Sequence, residues 1–501
     1  MLLAEKLADW TNKIKYTDLT PEAIHETKRR FIDSLGTALG AYKSKPASIA
    51  RATALSVPCP RGGSVILGTK HRSTPALAAF ANGAHVRYLD YNDTYLSLEP
   101  AHPSDNIAAT LAAAQANGRS GKDLILATVI AYEIQCRLCD AASLRAHGWD
   151  HVIYGNYSAT LGASKLYGLR TDQMIHAQGL AGVCNNATRQ TRTGQISMWK
   201  ACAFSNVCRG ALFAVNLARQ GFTGPNEIFE GPKGLFNMLT RCAFDVELGS
   251  KSRGYMINKT YIKFWPAEYH AQSSIDAALQ IRKEFMADGW SYNDIDRVEM
   301  ESFEAAVSII GSEKEKWRPT SRETADHSMG YMTVAALVDG DVTRETFEPR
   351  KFTDPKYLDI LDRTTIVEAD DLNAGYPDGI PNRLRVHLRS GKVYEKTVKY
   401  PRGHAGNPMS DDEVEHKFRT LAKGVISDAQ QDKLLAEMWK LDSMKKVDNL
   451  WQFEVGAKIP ASTGKASARS AGRKPVKSKA ATPKAAKRKA AKSGSRSARK
   501  K

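Results

Sequence analysis

The chain has 501 residues, 42% of them hydrophobic, enough to fill the cores of two or three domains. No apolar run reaches the length of a membrane span, since the longest candidate, Leu124 to Tyr132, is closed by Asp123 and Glu133. The formal net charge of +18 belongs to the end of the chain: residues 461–501 hold fifteen Lys and Arg and no acid, and without them 57 basic and 54 acidic residues remain, a body near +3.

The first ten residues carry acids in an amphipathic pattern, unlike a cleaved secretory signal, so a cytoplasmic protein is expected. Seven cysteines, an odd number, argue against a disulfide framework. Cys136 and Cys139 form a lone C-x-x-C inside a helical run and are expected as buried thiols, with no second pair at zinc spacing. Thr20-Pro21-Glu22 reads as a helix start, with Thr as cap and Pro in the first turn. Ile24, Phe31, Ile32, Leu35 and Leu39 then recur at helical spacing, with Gly36 and Gly40 marking close approach or an end. Further helices are predicted over Asp123–Leu138, Tyr157–Leu166, Thr171–Cys184 and Lys200–Ala218. Up to about residue 265 the reading is all-α.

The character changes after Pro266. Asp296–Ser302 alternates like a strand, and Arg383–Tyr400 reads as a β-hairpin turning at Ser390-Gly391. Helices intervene at Ser273–Phe285 and Met329–Leu337. A Gly/Pro/Asn linker, Pro401 to Pro408, precedes a capping box at Ser410 and Glu413, with Met409 and Val414 placed as a hydrophobic staple. The expected architecture is mainly α: a large all-helical domain over 1–267, an α+β lid domain over 268–405, and a helical return to the first domain over 406–456. The Ala/Lys/Arg/Ser segment 457–501 cannot bury enough surface to fold and is expected to be disordered. Its basic runs either bind polyanions weakly through phosphate contacts or stay solvated; without aromatics, base stacking is not expected.

Between two Ala-rich helices, Tyr88 to Asn106 packs Asp90, Asp93, Thr94, Glu99, His102 and Asp105 into one loop. Pro100 and Pro103 hold the backbone around His102 extended. Such a loop either satisfies its acids and imidazole locally or faces a cavity. Four further polar clusters stand out: His147 to His151, Gln190 to Lys200, Lys263 to Gln272 and Asp326 to Tyr331. No P-loop, G-x-G-x-x-G, H-E-x-x-H or G-x-S-x-G is present. What remains is an acid–base set of Asp, His, Lys and Tyr.

These clusters strongly resemble the MmgE/PrpD family, which includes 2-methylcitrate dehydratase, cis-aconitate decarboxylase and related epimerases. The resemblance spans about residues 5–455. It rests on Leu89 to Thr94 (Leu-Asp-Tyr-Asn-Asp-Thr) with His102 to Asn106 (His-Pro-Ser-Asp-Asn), Met198-Trp199-Lys200, Phe264 to His270 (Phe-Trp-Pro-Ala-Glu-Tyr-His), Asp326-His327-Ser328 with Tyr331, and Asn407 to Glu413. It implies the two-domain fold read above, a homodimer, a site at the domain interface, and no metal or organic cofactor. Asp90, Thr94, His102, Lys200 and Tyr331 match the family's active-site positions, and His151 matches a second histidine. Where the decarboxylase branch resembles His-x-Ser, this chain has Glu268-Tyr269-His270, which favours the dehydratase branch.

The resemblance implies a lyase that dehydrates 2-methylcitrate or a related hydroxy polycarboxylate, as in propionate catabolism. That chemistry requires removing a weakly acidic C–H proton and protonating a departing hydroxyl. Asp90 or His102 is expected as the base and Tyr331 or Lys200 as the acid, with Thr94, His151, Glu268 and His270 on the substrate. His85, His147, His176 and His404 are expected to be structural or surface residues, and Trp199 and Trp265 packing residues. Arg189 and Arg192 either hold substrate carboxylates, cap a helix or face solvent. The competing readings are a decarboxylase or epimerase of the same family and, from a different class, a nucleic-acid-associated protein acting through the tail.

Overall fold

The computed structural model describes residues 1–194 and 196–456; segment 457–501, with its expected disorder and polyanion binding, lies outside the described residues. The signals at the start of the chain act as read. Thr20 Oγ1 accepts a hydrogen bond from Ala23 N at 3.2 Å, and the helix runs over Pro21–Gly40. The longer apolar runs become Gly121–Ala141, Gly155–Tyr167 and Thr171–Cys184. Cys136 and Cys139 are buried free thiols in the first of these, and burial pushes both well up from the ordinary thiol range. Among the described residues no helix is long and apolar enough to cross a membrane.

Buried side chains form two large cores. One gathers residues from 3 to 262 and again from 409 to 453; the other gathers residues from 261 to 398, joined by Leu96. The second core lies under a four-stranded sheet in the order Thr364–Glu368, Ile295–Ser302, Asn382–Leu388, Val393–Val398. Only the first pair is parallel; the others are antiparallel, with Met300 opposite Leu384 and Val386 opposite Tyr394. Alternate residues of the two central strands are buried, and the helix Gln272–Ala287 packs against Asn382–Leu388 and Val393–Val398. Thr364–Glu368 was not legible in the sequence because it is an edge strand buried only at Thr364. The helix expected over Lys200–Ala218 is also divided: Met198–Ala201 is one 3₁₀ turn, and the α-helix begins at Ala203. The break leaves Lys200 at the end of a turn, where its ammonium reaches buried acids instead of continuing a helix face.

The C-terminal part returns to the first core. Ser410 and Glu413 cap the helix Asp411–Ala422 reciprocally, and Arg29 donates to Asp411 Oδ1 at 2.8 Å. This helix crosses Pro21–Gly40 so closely that a Cβ at Gly36 would stand 3.0 Å from the Phe418 Cα. Further on, Gly121 N donates to Met444 O at 2.9 Å, and a Cβ at Gly121 would lie 1.6 Å from the Leu441 carbonyl oxygen. Gly121→Ala is therefore predicted to displace the 441–444 turn and destabilise the protein by about 1–3 kcal/mol, the range for overpacking. Urea unfolding checks this, and a change within error of zero would contradict it.

Candidate active site

The Tyr88–Asn106 loop spans the two cores. Tyr95 and Ala101 sit in the first and Leu96 in the second. Thr94 and Tyr261 exchange backbone hydrogen bonds at 2.9 and 2.8 Å, and Tyr95 and Ala101 close a bridge inside the loop. Two of the loop's acids hold it in place. Asp93 accepts from Ser104 N at 2.8 Å and Tyr132 Oη at 2.7 Å, and Glu99 accepts from Leu144 N and Arg145 N at 2.7 and 2.9 Å.

Asp90 does something else. It is a non-glycine residue in the left-handed region, at φ +50°. Lys263 Nζ fixes that conformation by donating to both its carbonyl and its Oδ1, each at 2.8 Å. Arg87, the last residue of the helix Pro75–Arg87, donates to the same Oδ1 at 2.6 Å, and Lys200 Nζ lies 3.1 Å from Oδ2. Burial alone would raise the Asp90 carboxyl, but Arg87, Lys200 and Lys263 together hold it well below the usual carboxylate range. It is an anion with little affinity for a proton.

His102 lies beside this cluster, its Nε2 3.8 Å from Asp90 Oδ1. Its Nδ1 is 2.8 Å from the Asp93 carbonyl, so Nδ1 carries the proton, and Thr94 Oγ1 is 3.2 Å from the same nitrogen. That tautomer leaves the Nε2 lone pair open. Burial, then Arg87 and Lys263, push the imidazole well below 6.5 and keep it neutral. His151, packed edge-on against it, is pushed down to about 3 by burial and Arg192, and its Nε2 is buried without a partner among the described residues.

Both histidines face a cavity of about 320 Å³. Its wall carries six cations (Arg87, Arg145, Arg189, Arg192, Lys263, Lys316) against three acids, Asp90, Glu268 and Glu313. His270 and His327 complete the imidazoles, and Leu96, Pro100 and Ile309 form an apolar strip. Glu268 is held down at about 2: burial opposes ionisation, but His270, with its Nδ1 2.8 Å from Glu268 Oε1, outweighs it.

Six of the residues singled out in the sequence therefore meet at one cavity: Asp90, Thr94, His102, His151, Glu268 and His270. Lys200 sits behind its wall, 3.1 Å from atoms of Asp90, Asp326 and His327. Those three are spaced as ligands for a cation, and the Lys200 ammonium stands among them. Tyr331 is a correction. It projects from the helix Met329–Asp339 into the second core, stacks edge-on against Phe352 and Tyr357, and donates to the Thr346 carbonyl at 2.5 Å. Trp199 is another, 45% exposed and not packed inside, while Trp265 is buried as expected. Arg189 and Arg192 line the cavity, Arg192 donating to Asp150 Oδ2 at 3.0 Å. His85 is structural, buried between the Ala81 carbonyl and Arg51.

Sequence reasoning did not assign Arg87, Lys263, Asp326 or His327 to the site. The last three lie inside quoted polar clusters, where a charged residue among apolar neighbours was the available signal. Arg87 ends an Ala-rich helix and carried none.

Removing Lys200 leaves Asp90 and Asp326 buried with less compensation. Lys200→Met is predicted to lower stability by about 3 kcal/mol, the cost of breaking a buried ion pair. Denaturant titration checks it, and a loss below about 0.5 kcal/mol, the level of a surface change, would contradict it.

The chain matches the MmgE/PrpD N-terminal domain over residues 5–245 and the MmgE/PrpD C-terminal domain over residues 265–441. It is similar to the 2-methylcitrate dehydratase of Cupriavidus necator, 30% identical over 462 residues that cover 86% of this chain and 92% of the relative. The 2-methylcitrate dehydratase of Escherichia coli (strain K12) is 29% identical over 359 residues, 68% of this chain and 73% of the relative. Alkylcitrate dehydratase phiI of Fungal sp. (strain ATCC 74256) is 27% identical over 412 residues, 77% and 81% of the two chains.

Proposed function

The chain belongs to the MmgE/PrpD family and is a dehydratase, a carbon–oxygen lyase, and from this footing we propose that its substrate is 2-methylcitrate or another 2-alkylcitrate. The observation that carries the proposal is the cavity wall, where six Arg and Lys side chains outnumber three acids around an open imidazole nitrogen. A tricarboxylate needs that excess of cations, and the strip of Leu96, Pro100 and Ile309 suits an alkyl substituent.

In this reading His102 Nε2 removes the C–H proton next to a carboxylate. Asp90 is the poorer base, since three cations hold its carboxylate ionised and satisfied. Its part is to orient Arg87 and Lys263, which reach the cavity and are placed to stabilise enolate-like charge. Thr94 fixes the His102 ring. Glu268, an anion in contact with His270, is the feature that sets dehydration ahead of decarboxylation. A homodimer in the cytoplasm belongs to the same proposal, with the exposed Met198, Trp199 and Phe213 in support of a subunit contact.

Absorbance of the conjugated alkene formed from 2-methylcitrate tests the reading. His102→Asn should lower kcat by roughly 10² to 10⁴, the worth of a general base. A variant at near wild-type rate would remove His102 from the chemistry. Because His102 is held neutral, the acid limb of kcat/KM is predicted to fall below pH 6.5. Protonation inactivates the base, and a depressed value moves that loss to lower pH; a limb at or above pH 6.5 would contradict the assignment.

A further inference from the structure

Dehydration needs an acid as well as a base, and neither residue expected from the sequence is placed to act as one. Tyr331 Oη is spent on the Thr346 carbonyl in the second core. Lys200 is not on the cavity wall, and its ammonium is held between the Asp90 and Asp326 carboxylates.

His270 is on the wall, and its surroundings fix how it presents itself. Glu268 precedes a single 3₁₀ turn, Tyr269–Ala271, and its two oxygens grip the same residue: Oε2 accepts from His270 N and Oε1 from Nδ1, each at 2.8 Å. The His270 carbonyl accepts from Asn382 Nδ2 at 2.9 Å. The ring centroid lies 5.5 Å from that of Phe303 and 5.9 Å from that of Tyr376, two rings that stack on each other. With Nδ1 bound to a carboxylate, the other nitrogen is the one left to act. Nε2 is buried and has no partner among the described residues, a position that costs free energy until a ligand atom reaches it.

We propose that His270, oriented by Glu268, is the general acid that protonates the departing hydroxyl. The inference rests on the dehydration reading above. His102 Nε2 takes the C–H proton, and the electron pair of that bond forms the C=C bond. The C–O bond breaks, its electron pair takes the Nε2 proton of His270, and water leaves. His270 ends neutral and His102 protonated, and exchange with solvent restores both. Glu268 is a positioning residue in this scheme and acts through His270.

The test pairs two leaving groups on the full-length protein: 2-methylcitrate and the analogue in which fluoride replaces the departing hydroxyl. Fluoride leaves as a weakly basic anion and needs a proton far less than hydroxide does. His270→Gln should lower kcat on 2-methylcitrate roughly a hundredfold, with the loss on the fluoro analogue smaller by at least about tenfold. Glu268→Gln should follow the same pattern with smaller losses and serves if His270→Gln does not fold. His102→Asn should lose both reactions, since both need the base. Equal losses of His270→Gln on the two substrates, or an undiminished rate on 2-methylcitrate, would overturn the assignment while the dehydration reading stands. A wild-type protein that dehydrates no hydroxy polycarboxylate would overturn that reading, and this inference with it.

Discussion

The buried carboxylate of Asp90 is the point on which the rest of the site depends. Three cations from distant parts of the chain, Arg87, Lys200 and Lys263, converge on it at 2.6 to 3.1 Å. None of the four side chains is more than slightly exposed. A buried charge is costly unless it is paired, and removing any one partner exposes the cost of the others. The cluster therefore holds a helix end, a short turn, the segment that enters the second core and, through Asp326, the loop before Met329–Asp339 in one arrangement. The same cations act on the chemistry beside them: burial first, then Arg87 and Lys263, disfavour a charge on His102 and keep it neutral.

The polar loop ties this electrostatics to the architecture. Leu96 is anchored in one core while Tyr95 and Ala101 are anchored in the other. His102 hangs from the first side, through the Asp93 carbonyl, and His270 from the second, through Glu268 and Asn382. The two imidazoles thus reach one cavity from two separately packed bodies of side chains. The Thr94–Tyr261 bridge is a backbone link from the loop to the segment that enters the second core. Rigid elements carrying opposed groups are what proton removal and proton delivery at neighbouring carbons require.

Much of this was legible in the sequence, for physical reasons. Helices with strong apolar periodicity and side-chain caps, such as Pro21–Gly40 and Asp411–Ala422, declare themselves locally, as does the hairpin Asn382–Val398. The loop from Tyr88 to Asn106 stood out because acids and an imidazole between Ala-rich helices need partners. What could not be read depends on direction. Tyr331 sits in a motif of the expected composition, yet its helix turns it toward Phe352 and Thr346, and no local pattern records which way a phenol points. Lys200 reads as the start of a helix from the apolar periodicity that follows it, but its pairing with Asp90 and Asp326 is long-range. Lys263 acquires its role only when residues far apart in sequence meet over one carboxylate, whereas Arg87 pairs with Asp90 three residues on.

Nitrogen-15 NMR of the full chain with labelled histidine, using His102→Asn to assign the signal, tests the central claim most directly. That claim is that burial, with Arg87 and Lys263 beside it, holds His102 neutral with Nδ1 protonated and Nε2 open. At pH 7 the account predicts one protonated nitrogen and one bare nitrogen for His102. Two protonated nitrogens at that pH would mean an imidazolium beside Asp90, and His102 would not be the base.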